Sequence, residues 1–257
     1  MNTAAHSESA LIIFAKAPIP GQVKTRLCPP LTPDEAATLH GSFVLDMLER
    51  SRDAIRSERQ LVDRFVACTP SPEHAFFKVI EARHGVRLLA QLGEDLGQRM
   101  HRAFEATFSH GYRRALLIGT DLPLMPGSYL GEALTRLSDH DVVLGPAVDG
   151  GYYLVGLTHP VPDLFTGIPW STDQVCSLTL KKAESLGLRT TLLPTCRDVD
   201  RLEDLHAIIQ ECGLADAKGG RDNPLLSKRT TGVLRTLATR LQARETSKPA
   251  DRTGAHP

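Results

Sequence analysis

The sequence lacks the features that mark several protein classes. Its formal net charge is zero because 30 basic and 30 acidic residues balance. The chain as a whole therefore carries no electrostatic signature for nucleic acid or for an anionic membrane surface. The apolar run that begins at Leu11 is only five residues long, and the segment before it has no positively charged start. We expect neither a signal peptide nor a membrane span, and hence a cytoplasmic protein.

Cysteine and aromatic residues are also scarce. The five cysteines are scattered, without a Cys-x-x-Cys pair or a Cys/His zinc spacing, which favours unpaired thiols in a reducing compartment. Aromatic residues make up 5% of the chain, and Trp170 is the single tryptophan. A disulfide scaffold is excluded, whereas 257 residues, 41% of them hydrophobic, suffice for one large α/β domain.

Short apolar runs alternate with helical patterns along the chain. This alternation predicts a parallel sheet with helices on both faces. A capping box, in which Thr32 is the N-cap, Pro33 the first helical residue and Glu35 the partner, predicts the start of the first helix. Strands are predicted over 11–15, 61–68, 86–92, 115–118, 141–148, 150–157 and 189–193, and further helices over 73–83, 98–109, 127–137, 171–186, 201–212 and 224–241.

The other candidate residues are arranged around the stretch 115–123. Four apolar residues predict a buried strand, Gly119 breaks the run, and Pro123 fixes the chain beyond it. Asp121 therefore lies just past the carboxyl end of a central strand, the edge where open α/β sheets bind ligands. A carboxylate there can hold a divalent cation, which in turn can hold phosphates. An Asp after a strand is also a common turn or capping residue.

The loop after the first strand is a candidate phosphate site. Lys16, Lys24 and Arg26 supply three cations, and Gly21 allows the backbone to approach a ligand closely. The spacing is not that of a Walker loop. A solvated basic loop is the alternative, and the spacing alone does not separate the two.

Two further carboxylates follow the last short strand. Asp198 or Asp200 could complete a Mg²⁺ site with Asp121, leaving the remaining positions to water and phosphate oxygens. The alternative is that Asp200 caps the helix that starts at Arg201, and both roles are compatible.

A third group of candidates lies in the segment 145–156. Asp149 is a candidate general base or acceptor for a sugar hydroxyl, and Gly150 and Gly151 allow the backbone to approach a ligand. Spacing alone favours a plain β-hairpin with an Asp-Gly turn. Trp170, followed by Ser171, could stack on a sugar, or could be a core anchor with Ser171 as a helix N-cap.

The segments 14–27, 91–100, 119–123, 145–153 and 168–171 together resemble a bacterial glycosyltransferase-like family. Its members are known as arsenosugar-biosynthesis-type or radical-SAM/selenodomain-associated transferases. The resemblance covers about 11–205. It implies a Rossmann-like three-layer αβα nucleotide-diphospho-sugar transferase fold of glycosyltransferase-A type, with a mostly parallel central sheet. We place this single domain at 11–243, between disordered segments at 1–10 and 244–257.

The chain is also similar to 2-phospholactate guanylyltransferases. The shared elements are Lys-Thr-Arg-Leu at 24–27 and Asp-x-Asp at 198–200, followed by Glu-Asp-Leu at 203–205. Two departures count against guanylyl transfer. Arg201 replaces the usual Thr, and two tyrosines follow Gly151 where those enzymes have small polar residues.

The resemblance implies a nucleotide-sugar-dependent glycosyltransferase with a small-molecule acceptor and Mg²⁺ or Mn²⁺ as cofactor. The alternative is a nucleotidyltransferase that joins a nucleoside triphosphate to a phosphorylated acceptor, and a non-catalytic binding module is a third possibility. Asp149 would act as the base if the reaction inverts. The other implied roles are Lys16, Gly21, Lys24 and Arg26 at the phosphates, Gln91 and Gly93 at the base, Asp121, Asp198 and Asp200 at the metal, and Gly150, Gly151, Tyr152, Trp170 and Ser171 at the sugar or acceptor.

Overall fold

The computed structural model describes residues 7–57, 61–214 and 223–246. The strands are β1 Ser9–Lys16, β2 Val62–Thr69, β3 Arg87–Ala90, β4 Arg114–Ile118, β5 Val142–Pro146, β6 Tyr152–Leu157 and β7 Thr190–Leu192. The helices are α1 Pro33–Ser57, α2 Ala75–His84, α3 Leu96–Phe108, α4 Ser128–Arg136, α5 Val175–Ser185, α6 Leu202–Glu211 and α7 Lys228–Thr246.

The seven strands form one sheet in the order β3-β2-β1-β4-β6-β5-β7. β1 pairs in parallel with β2 and β4, β2 with β3, and β5 with β7. β6 runs antiparallel to both of its neighbours, β4 and β5. The predicted mostly parallel sheet is confirmed. Its direction reversal brings the start of β6 beside the end of β4.

Helices cover both faces of the sheet, as the three-layer prediction requires. Alternate residues of β1 point to opposite sides because side chains alternate along a strand. Leu11 and Ile13 pack in a cluster with Met47 of α1. Ala10 and Ile12 pack instead with α3. A third apolar cluster joins α1, α6 and α7.

The start of α1 confirms the predicted capping box. The Thr32 amide donates to the Glu35 carboxylate at 2.8 Å, and the Glu35 amide donates to Thr32 Oγ1 at 3.3 Å. These bonds satisfy amides that a helix N-terminus leaves without intrahelical partners.

Some predicted boundaries were wrong. β1 begins at Ser9 and α7 continues to Thr246, so ordered chain extends beyond the limits 11 and 243. The remaining parts of the predicted disordered ends, 1–6 and 247–257, lie outside the described residues. The helix predicted over 171–186 begins at Val175.

Ser171 is therefore not a helix N-cap. It has a left-handed backbone with φ 67°, and the next hydroxyl, Thr172 Oγ1, donates to the Pro169 carbonyl at 2.8 Å. The segment before α5 forms a turn instead. None of the helices in the described ranges has the length and apolar character needed to cross a bilayer.

Candidate functional site

A cavity of about 630 Å³ opens at the sheet edge where β1 and β4 end and β6 begins. This is the edge at which α/β sheets bind ligands. Its lining combines apolar and charged side chains. The apolar group includes Phe14, Leu96, Met100, Leu117, Tyr152, Val155 and Trp170, and the charged group includes Asp121, Asp149, Asp198, Asp200, Asp204, Arg26 and Arg201.

Asp121 lies at this edge, as the strand-end argument predicts, and it forms an ion pair with Lys24. The Lys24 ammonium lies 2.7 Å from Asp121 Oδ2 and donates to the Val199 carbonyl at 2.6 Å. Only 3% of the Lys24 side chain is exposed. The expected phosphate ligand is thus a buried cation that joins the loop after β4 to the segment before α6.

The charge of the Asp200 carboxylate is neutralised by Arg26, which lies in the same loop after β1 as Lys24. Its Oδ2 accepts from Arg26 Nη1 at 2.6 Å, and its Oδ1 lies 3.8 Å from the Lys24 ammonium. The predicted capping role of Asp200 was wrong, because Arg201 is the N-cap of α6. The Asp204 carboxylate accepts from the Asp200 and Arg201 amides at 3.2 and 2.8 Å.

His40 is a site residue that the sequence reasoning missed. It is 4% exposed, its Nε2 lies 3.0 Å from the Lys16 carbonyl, and its Nδ1 lies 3.5 Å from Asp121 Oδ1. Burial alone would raise the pKa of Asp121, but the Lys24 ammonium and His40 together hold that pKa well below its ordinary value. A polar residue on the apolar stripe of α1 was the available signal.

The placed carboxylates do not fit a metal ion shared by Asp121 and Asp200. Both face the Lys24 ammonium, and the second oxygen of Asp200 is bonded to Arg26. Within the described part of the chain, no group of three or more His, Cys, Asp or Glu residues has an arrangement that could hold a metal. Asp121 Oδ2 and both oxygens of Asp200 therefore already face cationic side chains, whereas Asp121 Oδ1 has no hydrogen-bond partner among the described residues.

Asp149 occupies the turn of the hairpin that joins β5 to β6, so the hairpin prediction is confirmed. Its Oδ1 accepts from the Gly151 amide at 2.9 Å. Gly150 has φ 89°, and a Cβ at this position would lie 2.1 Å from the Asp173 carbonyl oxygen. Only glycine fits there, because both the backbone angle and the contact exclude a side chain.

The hairpin turn is held on both sides. The Cys176 amide at the start of α5 donates to the Gly150 carbonyl at 2.9 Å, and the Val148 amide donates to the Cys196 carbonyl at 3.1 Å. Asp149 is therefore presented to the cavity on a fixed backbone. Burial, and then the nearby Asp149 carboxylate, raise the pKa of Asp198 to about 6.

Trp170 both lines the cavity and packs against the core, so neither alternative excludes the other. Its indole meets the Tyr152 ring edge-on, with centroids 6.4 Å apart, and it borders the apolar cluster under α3. In the described chain, Lys24 and Ser171 are the non-glycine residues with positive φ, and both adjoin the cavity. Strained backbone of this kind is concentrated at functional sites.

Five predicted nucleotide ligands do not line the cavity: Lys16, Gly21, Lys24, Gln91 and Gly93. The side-chain amide of Gln91 instead donates through Nε2 to the Ala15 and Ala67 carbonyls at 3.3 and 2.8 Å, which ties together the ends of β1 and β2. Their contact with a nucleotide stays a prediction.

Comparison with known proteins places the chain in a family. A family model described as "Uncharacterized protein conserved in bacteria (DUF2064)" matches residues 55–172. A comparison with curated proteins finds no match. A Desulfovibrio desulfuricans G20 protein, assigned provisionally by its name to the nucleotide-diphospho-sugar transferases, is 33% identical, with a TM-score of 0.78. The alignment covers 93% of this chain and 98% of that one. The chain belongs to the same family.

Other members of the nucleotide-diphospho-sugar transferase fold are more distant. A cytidylyltransferase from Leptospira borgpetersenii serovar Hardjo-bovis is 16% identical with a TM-score of 0.52, and the alignment covers 98% of this chain and 100% of that one. A CMP:2-keto-3-deoxy-manno-octonic acid synthetase complexed with CTP is 14% identical with a TM-score of 0.50, and the alignment covers 80% of this chain and 99% of that one. At such identities these similarities show the shared fold, and they confirm the predicted fold class.

Proposed function

We propose that this protein is a cytoplasmic glycosyltransferase that moves a sugar from a nucleoside-diphosphate sugar to a small acceptor. The observation that carries the proposal is the 33% identity, over almost the whole of both chains, to the Desulfovibrio protein that its name assigns provisionally to the nucleotide-diphospho-sugar transferases. The cavity at the carboxyl edge of the parallel strands supports it, because this is where such sheets bind ligands. Arsenosugar-biosynthesis-type transfer is the narrower form of the proposal.

The charged and the aromatic side chains of the lining suit the two parts of a donor. Arg26 and Arg201 are its cations, and guanidinium groups pair well with phosphate oxygens. Tyr152 and Trp170 offer aromatic surface to a sugar or an acceptor. In this arrangement the diphosphate lies toward Arg26, and the transferred sugar lies between the diphosphate and the aromatic pair.

Asp149 is the proposed base. In an inverting transfer its carboxylate takes the proton from an acceptor hydroxyl, and that oxygen forms a bond to the anomeric carbon. The bond from the anomeric carbon to the phosphate oxygen breaks, and the nucleoside diphosphate leaves with its electron pair. The fixed hairpin turn holds the Asp149 carboxylate in place for this step. No step is assigned to a metal, because the carboxylates as placed do not fit one.

A substrate panel tests the proposal. Nucleotide sugars and nucleoside triphosphates are each incubated with the protein and a mixture of small acceptors, with Mg²⁺, with Mn²⁺ and with EDTA, and the products are identified by mass spectrometry. We expect release of a nucleoside diphosphate from one nucleotide sugar. Release of pyrophosphate from a triphosphate, with nucleotide sugars left intact, would instead identify a nucleotidyltransferase and overturn the proposal.

The Asp149→Asn variant separates chemistry from binding. We expect it to bind the donor nearly as well as the wild type while turnover falls by about 10²- to 10⁴-fold, the usual contribution of a general base. Asp139→Asn, which removes an exposed carboxylate after α4, is the matched control and should keep full turnover. Equal turnover in the two variants would exclude Asp149 as the base.

A further inference from the structure

We propose that the Lys24 ammonium is the resident cation between Asp121 and Asp200 and takes the place that a divalent metal would occupy there. The ammonium lies 2.7 Å from Asp121 Oδ2, 2.6 Å from the Val199 carbonyl oxygen and 3.8 Å from Asp200 Oδ1. These three oxygens come from the loop after β4 and from the segment before α6. Of the three N–H donors of an ammonium, two have an oxygen within hydrogen-bond distance, on Asp121 and Val199, and the longer contact with Asp200 is electrostatic.

The surrounding chain holds Lys24 in this position. The Val199 amide donates to the Asp121 carbonyl at 2.9 Å, which keeps the two oxygen-bearing segments together. The backbone of Lys24 is left-handed, with φ 50°, a conformation that lysine rarely adopts without compensating contacts. A side chain that merely waits for a phosphate would not need to be 97% buried against two carboxylate-bearing segments.

A metal ion would have to displace this arrangement. Mg²⁺ binds oxygen ligands at about 2.0–2.1 Å in an octahedral shell, and a shell that includes Asp121 and Asp200 would have to form where the Lys24 ammonium now lies. The second oxygen of Asp200 is engaged by Arg26 at 2.6 Å. The charges of Asp121 and Asp200 are therefore balanced by those of Lys24 and Arg26.

The inference goes beyond the proposed function, since it concerns the protein's own cation whichever group is transferred. Its test uses no nucleotide, so failure of glycosyl transfer and failure of this proposal remain distinguishable. Mn²⁺ alone is the probe. Binding is followed by the electron paramagnetic resonance signal of free Mn²⁺, and thermal unfolding is measured in EDTA and in Mn²⁺.

The Lys24→Met variant removes the ammonium and keeps the length of the side chain. We expect it to bind Mn²⁺ about 10- to 100-fold more tightly than the wild type, because two unneutralised carboxylates are then available to the ion. Its unfolding midpoint should rise when Mn²⁺ is added, since a ligand that binds the folded state stabilises it. The double variant Lys24→Met/Asp121→Asn should lose this gain. Lys181→Met, the same substitution at an exposed lysine of α5, is the matched control and should behave as the wild type.

A folded Lys24→Met variant that gains no Mn²⁺ affinity would overturn the proposal. If that variant does not fold, comparison of the wild type with Asp200→Asn decides. The proposal predicts equal Mn²⁺ affinity in these two proteins, because the wild-type carboxylate is not available to the ion. An affinity that falls about tenfold or more in Asp200→Asn would show that a metal binds at this pair, and Lys24 would not be the resident cation.

Discussion

The guanidinium of Arg50 holds the main chain directly after Asp121. Its Nη1 donates to the Leu122 carbonyl at 2.9 Å, and its Nη2 donates to the Pro123 carbonyl at 2.6 Å. Nη2 also donates to the Leu225 carbonyl at 2.9 Å. One side chain of α1 thus fixes the loop that carries Asp121 and ties it to the segment before α7.

The Arg50→Lys substitution should destabilise the protein although it keeps the charge. A lysine has no planar fork, so at least one buried carbonyl loses its partner, and we expect a loss of about 2 kcal/mol in the free energy of unfolding. Urea denaturation measures it. Arg52→Lys is the control, since Arg52 is partly exposed and pairs with its neighbour Asp53, and it should stay within about 0.5 kcal/mol of the wild type. Equal effects of the two substitutions would refute the role of Arg50.

Gly97→Ala should displace the indole of Trp170. A Cβ on Gly97 would lie 2.6 Å from the indole Cζ2, so the ring must move away from its position in the cavity lining. Because Trp170 is the single tryptophan, its fluorescence reports this movement directly, and we expect a red-shifted emission and weaker quenching by bound nucleotide sugar. Gly232→Ala in α7, where a Cβ meets nothing within 4 Å, should leave the emission unchanged. Identical spectra for Gly97→Ala and the wild type would contradict the described contact.

The stabilising effect of Asp121 should depend on pH. Its folded-state pKa lies below the ordinary value of 3.8, so the ionised carboxylate stabilises the fold at pH values above the unfolded pKa. That contribution is lost as the pH falls through the folded pKa. Asp121→Asn should therefore be less stable than the wild type at neutral pH, and the gap should narrow below about pH 4. Denaturation at a series of pH values tests this, and a gap that widens on acidification would be the opposite result.

Loss of the capping box should weaken α1. Thr32→Ala removes the hydroxyl that accepts from the Glu35 amide, and we expect a loss of about 1 kcal/mol in the free energy of unfolding. Thr38→Ala, an exposed threonine in the same helix, is the control and should change the stability by less than about 0.5 kcal/mol. A comparable loss in both variants would show that the effect is not one of capping.

Most of the sheet could be predicted because a buried strand appears in the sequence as a short apolar run that ends at turn residues. The apolar run at 115–118 and the turn residues beyond it predict both β4 and the position of Asp121. The direction of β6 could not be predicted from such a run. An apolar run of that length suits a parallel or an antiparallel strand equally well, and the pairing with β4 depends on contacts distant in sequence.

The sequence predicted which residues belong to the candidate site better than it predicted the contacts between them. Strand-end logic brought together Asp121, Asp149 and Asp200, and all three line the cavity. It did not predict that Lys24 would face Asp121, because a loop cation can equally turn toward a phosphate or a carboxylate. His40 was missed for a related reason: its place on the apolar stripe of α1 predicts burial, but it does not predict which group the imidazole contacts.

Because β6 runs antiparallel to β4, two different kinds of structure carry the carboxylates of the cavity. Asp121 follows β4, a central strand that pairs with β1, and a change in chain length there would shift this strand. Asp149 is carried on a two-strand turn that enters β6, and its backbone bonds go to α5 and to the segment after β7. This turn contributes nothing to the pairing of β1 with β2 and β4, and its own shape depends on Gly150. The positions of the two carboxylates thus depend on different contacts: a change in the central strands would move Asp121, whereas a change in α5 or in the segment after β7 would move Asp149.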